Sequence, residues 1–165
     1  MDTFYASKSR HRIAQIIGPH GSGKTTLLET LAKAFEIRGV AVVWSTLNDQ
    51  RRRLSASFAP GIGTPETVYF LDGYEQLSTV DRLRVRWQDW NHTVGLIWTT
   101  HKPAMLIPVL YQTIPRFERF RQIVEHLTAE TRFSFDKAAL YEVFQRHDGN
   151  FRNAFFELYD RVAFD

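Results

Sequence analysis

Residues 18–25 read Gly-Pro-His-Gly-Ser-Gly-Lys-Thr, and Thr26 follows. Gly18, Gly21 and Gly23 allow backbone conformations and close approaches that a Cβ would forbid. The amide groups of such a loop converge on one point, and the positive end of a following helix adds to them. The matching ligand is a polyphosphate, and the side chains present suit a triphosphate with a divalent cation. Lys24 supplies a charge for the outer phosphates, Thr25 a hydroxyl for Mg²⁺, and Thr26 a hydroxyl for the inner phosphate. Pro19, His20 and Ser22 lie in the same loop and contribute through its backbone. The competing reading is an ordinary glycine-rich turn from strand to helix.

Further along, the apolar stretch Val68–Leu71 ends in Asp72, and Glu75 follows after Gly73 and Tyr74. A carboxylate at a strand end is suited to a metal shell. Glu75 is a candidate general base, or else an acid placed in a first helical turn where the helix dipole favours it. A third cluster, Thr99-Thr100-His101, also closes an apolar stretch. It supplies hydroxyls and an imidazole that could meet a phosphate or a water, or could simply cap a strand.

Together these segments resemble the P-loop NTPase superfamily, since residues 18–25 fill its phosphate-loop (Walker A) pattern G-x-x-x-x-G-K-[ST]. Asp72 then matches the Walker B acid that supports Mg²⁺. Many relatives place a glutamate directly after that acid, whereas this chain has Gly73, which leaves Glu75 as the nearest base. The stretch ending in Thr99, Thr100 and His101 resembles the polar sensor at the end of the fourth strand, and its Thr100-His101 pair resembles the switch histidine of ABC-type ATPases. The segment His147–Asp160 resembles the lid helix of AAA+ ATPases, and that resemblance assigns Arg152 the sensor 2 role toward the γ-phosphate. The resemblance implies ATP and Mg²⁺ as cofactors and a compact AAA+/ABC-like architecture. GTPases fit poorly: after His101 the chain reads Lys-Pro-Ala, without the guanine-recognising Asn-Lys-x-Asp.

The elements that must carry these residues can be read from periodicity. Ile13–Gly18, Val40–Leu47, Thr67–Gly73 and Val94–His101 read as strands, with Val40–Leu47 expected to be buried on both sides. A short fifth strand follows Pro108, held to an edge by the proline. A helix from Gly23 to about Arg38 shows Leu27, Leu31 and Ala34/Phe35 on one face. Another carries Val80, Leu83, Trp87 and Trp90. Beyond Arg116 only helical patterns remain: Phe117, Phe120, Val124 and Leu127; then Leu140, Val143 and Phe144 behind an Asp136 cap; then Phe151, Phe155, Leu158 and Val162 after a break at Gly149–Asn150. Strands alternating with helices imply an α/β three-layer fold with a mainly parallel sheet. The resemblance gives its expected order as 5-1-4-3-2. The expected division is a nucleotide-binding core over residues 1–115 and a small helical subdomain over 116–165.

Composition narrows the class. The chain has 165 residues, 44% hydrophobic, no cysteine and a formal charge of +3. That excludes a disordered chain, disulfides and a cysteine nucleophile. The first residues lack the apolar stretch of a secretory signal, no apolar run approaches the ~20 residues of a membrane span, and a cytoplasmic location is expected. Residues 1–53 hold nine Lys/Arg against four Asp/Glu. Lys24 accounts for one of those cations, while Arg51–Arg53 stand in a loop as either a solvated cluster or a second anion contact. The expected function is an ATP-binding, Mg²⁺-dependent ATPase or nucleotide-driven switch. The alternatives are a small-molecule kinase and a nucleotide-sensing interaction module with little hydrolysis. Candidate partners beyond the nucleotide are another protein, a second copy of the chain, or a nucleic acid.

Overall fold

The computed structural model describes residues 13–54, 58, 67–90 and 95–163, with the backbone alone at 86–90. The polar N-terminal segment and most of the loop before Thr67 lie outside these residues. Five strands, β1 (Ile13–Ile17), β2 (Ala41–Thr46), β3 (Thr67–Asp72), β4 (Gly95–Thr100) and β5 (Val109–Gln112), form one sheet in the order β2-β3-β4-β1-β5. Every neighbouring pair is parallel. This is the expected order 5-1-4-3-2, read from the other edge, in an α/β P-loop fold.

The central strands are buried along their length because each face of the sheet carries its own apolar layer. Alternate residues divide between the faces. Ile16, Val68, Phe70 and Ile97 pack with Leu28, Ala32 and Phe35 of helix α1 (Lys24–Ile37). Ile13, Tyr69, Leu71, Leu96 and Trp98 pack on the opposite side with Val85 of helix α2 (Thr79–Trp90), Leu77 and Phe58. Burial pushes the Tyr69 hydroxyl pKa above its ordinary value. Gln15, in the middle of β1, is fully buried yet satisfied: its amide donates to the carbonyls of Ala104 and Ile107 and accepts from the Ala104 N–H. One polar side chain inside an apolar strand thereby fixes the loop that leads into β5.

Several sequence expectations shift. β2 is an outer strand, hydrogen-bonded only to β3, and its residues are mostly half-exposed rather than buried on both sides. The buried line of α1 runs through Leu28, Ala32 and Phe35, with Leu27 and Leu31 flanking it. In α2, Val80 and Leu83 are 59% and 65% exposed, and Val85 makes the core contact instead. The Trp87 and Trp90 side chains lie outside the described residues. The helix is entered through Ser78, whose hydroxyl accepts from the Asp81 N–H and donates to the Asp81 carboxylate. β5 begins directly after Pro108 and lies at the other edge, as the proline requires.

The chain divides into two compact units: β1 with Lys24–Gln112, and Gly18–Gly23 with the C-terminal part from Thr113. The second unit contains helices α3 (Phe117–Thr128), α4 (Lys137–Arg146) and α5 (Phe151–Ala163). Phe120, Val124, Leu140, Val143, Phe144, Ala154 and Leu158 form its core, with Phe117, Phe151 and Phe155 packed around them. Leu127 is exposed because the α3 face narrows to Phe120 and Val124. The Asp136 carboxylate accepts from the Ala139 N–H, as an N-cap should. At Glu157, burial raises the carboxyl pKa, but hydrogen bonds from Arg161 and His147 and the charges of Arg146 and Arg161 outweigh it, leaving the group below its ordinary range.

One turn carries special consequence for the sheet unit. Gly73, directly after β3, has φ of 87°. A Cβ there would lie 2.7 Å from the Leu47 carbonyl oxygen. Its N–H donates to the Thr99 hydroxyl, and its carbonyl accepts from Gln76 N–H to close a 3-10 turn over Tyr74–Gln76. Gly73→Ala is therefore expected to lower unfolding free energy by about 1–3 kcal/mol, from positive-φ strain and backbone crowding together. Denaturant unfolding checks this, and unchanged stability contradicts the assigned strain.

Candidate nucleotide-binding site

Parallel order brings the carboxyl ends of β1, β3 and β4 side by side, which is where open α/β sheets place their sites. Ile17 stands opposite Thr100, and Leu71 opposite Trp98. The residues that follow these positions are the ones with chemistry.

At the centre is Asp72. Its Oδ2 accepts from the Thr25 hydroxyl at 2.9 Å, and its Oδ1 accepts from the Thr99 hydroxyl at 2.6 Å. Thr99 is only 1% exposed, and its oxygen in turn accepts from Gly73 N–H. Asp72 is thus held from both sides by hydroxyls, one from the first turn of α1 and one from β4. Strand alternation explains why Thr99 rather than Thr100 reaches it. The Thr100 hydroxyl donates instead to the carbonyl of Lys102, in the turn after its own strand.

Lys24, 92% buried at the start of α1, points its Nζ to His101 Nδ1 at 3.2 Å. His101 Nε2 meets Glu75 Oε1 at 2.8 Å. An ammonium only donates, so Nδ1 accepts and the ring proton sits on Nε2, donated to the carboxylate. Lys24, His101 and Glu75 therefore form one chain of polar contacts. The other carboxylate oxygen of Glu75 is buried with no hydrogen-bond partner among the described residues. Glu75 itself is set by the turn that Gly73 starts. Arg82 secures that turn by donating to the Glu75 backbone carbonyl at 2.6 Å while its guanidinium lies over the Tyr74 ring, which stacks on Trp98.

The loop Gly18–Gly23 is built in the unit that holds the C-terminal helices. The Ser22 hydroxyl donates to the Pro19 carbonyl and so accepts from the Thr113 hydroxyl at 2.6 Å. A Cβ at Gly18 would collide with Thr113, and one at Gly21 would lie 1.8 Å from Asn150 Oδ1. Above Gly23 the space is open. Pro19, His20, Gly23 and Thr26 are exposed. Thr113 and Asn150 are the residues that sequence reading missed as loop contacts, since both lie far along the chain and neither belongs to a local motif. Arg152 stands exposed in the first turn of α5, without an ion pair among the described residues.

Within the sheet unit, Lys24, Thr25 and Asp72 are of the types that suit a magnesium phosphate: Lys24 supplies charge, and Thr25 with Asp72 offers the hard oxygen donors that Mg²⁺ prefers. Outside this set, Arg51 and Arg53 stand exposed on a turn in which the Asn48 side chain accepts from the Gln50 and Arg51 N–H groups, while Arg52 pairs with Asp49. Arg121, one of the arginines after residue 115, is engaged by Glu118 and Glu125. No described helix is long and apolar enough to cross a membrane.

Comparison with known proteins agrees with this fold. RuvB of Thermotoga maritima, described as a Holliday junction branch migration motor, superposes with a TM-score of 0.57 at 18% identity, over 86% of this chain and 51% of that one. A DNA replication initiation factor gives a TM-score of 0.63 at 15% identity, over 95% and 56% of the two chains. AMPPCP-bound DnaA of Aquifex aeolicus gives 0.58 at 14% identity, over 95% and 57%. The chain spans about half the length of these structures, and at such identities the likeness is one of fold. No curated protein matches it in sequence. The model of the ATPase family associated with various cellular activities (AAA) matches residues 14–125, so the phosphate-loop sheet described above belongs to a member of that nucleotide-binding ATPase family.

Proposed function

We propose that the protein binds ATP with Mg²⁺ and hydrolyses it, using the bound and cleaved states as a switch. The observation that carries this reading is the Thr25–Asp72 hydrogen bond of 2.9 Å, which joins the phosphate-loop hydroxyl to the strand-end acid. Amides of Gly18–Gly23 would hold the phosphates, with Pro19, His20, Gly21 and Ser22 acting through their backbone. Lys24 would neutralise the outer phosphates and Thr26 would meet the inner one. Thr25 and Asp72 would hold the metal, which when bound supplies Lewis-acid stabilisation of charge on the phosphates. Thr99 keeps the Asp72 carboxylate in place.

Glu75 acts as general base in this reading. Its unpartnered oxygen has lone pairs available to a water, while its other oxygen is orientated by His101. His101 also ties Glu75 to Lys24. A phosphate that draws Lys24 away would leave His101 holding Glu75 without the lysine behind it, so the Lys24–His101 contact would link the arrival of phosphate to the base. Thr100, turned to its own strand end, supports the backbone there. Arg152 offers its charge from the unit that contains the loop. The DNA-associated descriptions of two similar structures make a nucleic acid the favoured partner, and the exposed Arg51 and Arg53 supply cations for it.

Lys24→Ala is expected to abolish detectable ATP binding by calorimetry; unchanged affinity contradicts the phosphate-loop assignment. Glu75→Gln should retain ATP binding while hydrolysis under single-turnover conditions falls by about 100-fold or more. Hydrolysis at the parent rate in that variant removes Glu75 from the role of base.

A further inference from the structure

Helix α5 is apolar on two sides. Ala154 and Leu158 are buried in the core of the helical unit, with Phe151 and Phe155 packed beside them. On the other side Phe156 and Tyr159 are 62% and 70% exposed, and Arg152, Asp160 and Ala163 are exposed with them. At helical spacing Arg152, Phe156, Tyr159 and Ala163 form one stripe, which Asp160 flanks. Two aromatic rings on one exposed helical stripe make an apolar surface of the kind that marks a contact site.

The charges on α5 fall into two kinds. Glu157 is engaged by Arg146, Arg161 and His147. Arg152 and Asp160 have no ion pair among the described residues. Both also oppose the dipole of their own helix: Arg152 is a cation in the first turn, and Asp160 an anion in the last. Two exposed charges thus stand where their helix disfavours them, and neither is answered by a described residue.

Their spacing fits one partner. Arg152 and Asp160 lie four residues either side of Phe156, about 6 Å along the axis. The stripe therefore reads cation, aromatic, anion, symmetric in position and opposite in sign. A second copy of the helix, turned antiparallel about Phe156, sets its Asp160 level with Arg152 and its Arg152 level with Asp160. The Phe156 rings then meet at the centre, and each helix end faces the opposite end of the other dipole. A parallel copy would set like charges level.

We propose that the exposed face of α5 is a self-association surface. Two copies of the chain pack there as an antiparallel, two-fold helix pair through Phe156 and Tyr159, closed by two Arg152–Asp160 ion pairs. One helix from each copy makes a small interface, so the dimer is weak and depends on concentration. It forms without nucleotide and is independent of the triphosphate reading.

Sedimentation velocity of the full chain without nucleotide, from ~10 to ~500 µM, tests this. The parent is expected to pass reversibly from monomer to dimer, and Phe156→Ser to weaken association roughly tenfold or more. Arg152→Asp and Asp160→Arg each bring like charges together, and each alone should stay monomeric. Their melting temperatures at the low concentration should match or exceed the parent's, since each reversal agrees with the helix dipole. An equimolar mixture of the two should dimerise again, because one copy then carries two anions and the other two cations. A parent that stays monomeric throughout overturns the proposal. A dimer whose affinity stays within twofold in all three variants lies on another surface and overturns it too. So does a mixture of folded variants that fails to associate, and unfolding of either reversal contradicts the exposed, unpaired placement on which the proposal stands.

Discussion

The site depends on one carboxylate being held still. Asp72 projects from the end of a buried strand, and left unpartnered it would be costly there. Thr25 and Thr99 supply a hydroxyl to each of its oxygens. Those two bonds join the start of α1, the end of β3 and the end of β4, so the phosphate-loop helix and two central strands share one fixed point. A hydrogen bond to a charged group contributes about 1.5–3 kcal/mol. The pair therefore matters for stability as well as for chemistry. The sheet order is what makes it available, because β3 and β4 are neighbours and β1 lies beyond β4.

Gly73 follows from the same arrangement. With Thr99 accepting its N–H, φ of 87° and a Cβ that would lie 2.7 Å from the Leu47 carbonyl oxygen, a side chain at this position is strained. A glutamate directly after Asp72 would carry that strain, and the acid appears two residues later, on a turn secured by Arg82. That displacement brings Glu75 against His101, and through it to Lys24. The departure from the familiar acid pair is thus a consequence of the backbone at one residue.

Much of this was legible in the sequence because it is local. The glycine spacing with Lys24 and Thr25, the apolar run ending in Asp72 and the Asp136 cap are each a short continuous pattern, readable without knowing any distant partner. Alternation and periodicity also carried the element types, and the parallel order came with the resemblance. What escaped was set by distant partners. Val80 and Leu83 have helical spacing, yet the surface they were expected to meet is met by Val85. Thr99 and Thr100 are the same residue type, and only the strand's facing separates the one on Asp72 from the one on Lys102. Gln15 reads as an interruption in an apolar strand until the Ala104–Ile107 loop is folded onto it. Thr113 and Asn150 meet the glycine loop across most of the chain, where no pattern points to them.

If Lys24 exchanges His101 for phosphate on binding, as proposed above, the imidazole loses the ammonium on its Nδ1. Nitrogen-15 NMR of the His101 imidazole tests it most directly, comparing the free protein with the protein bound to Mg²⁺ and a non-hydrolysable ATP analogue. The expected result is an imidazole with its proton on Nε2 in the free protein, and an Nδ1 signal that moves on binding as the lysine leaves. An Nδ1 signal that stays in place while the analogue is bound would contradict it.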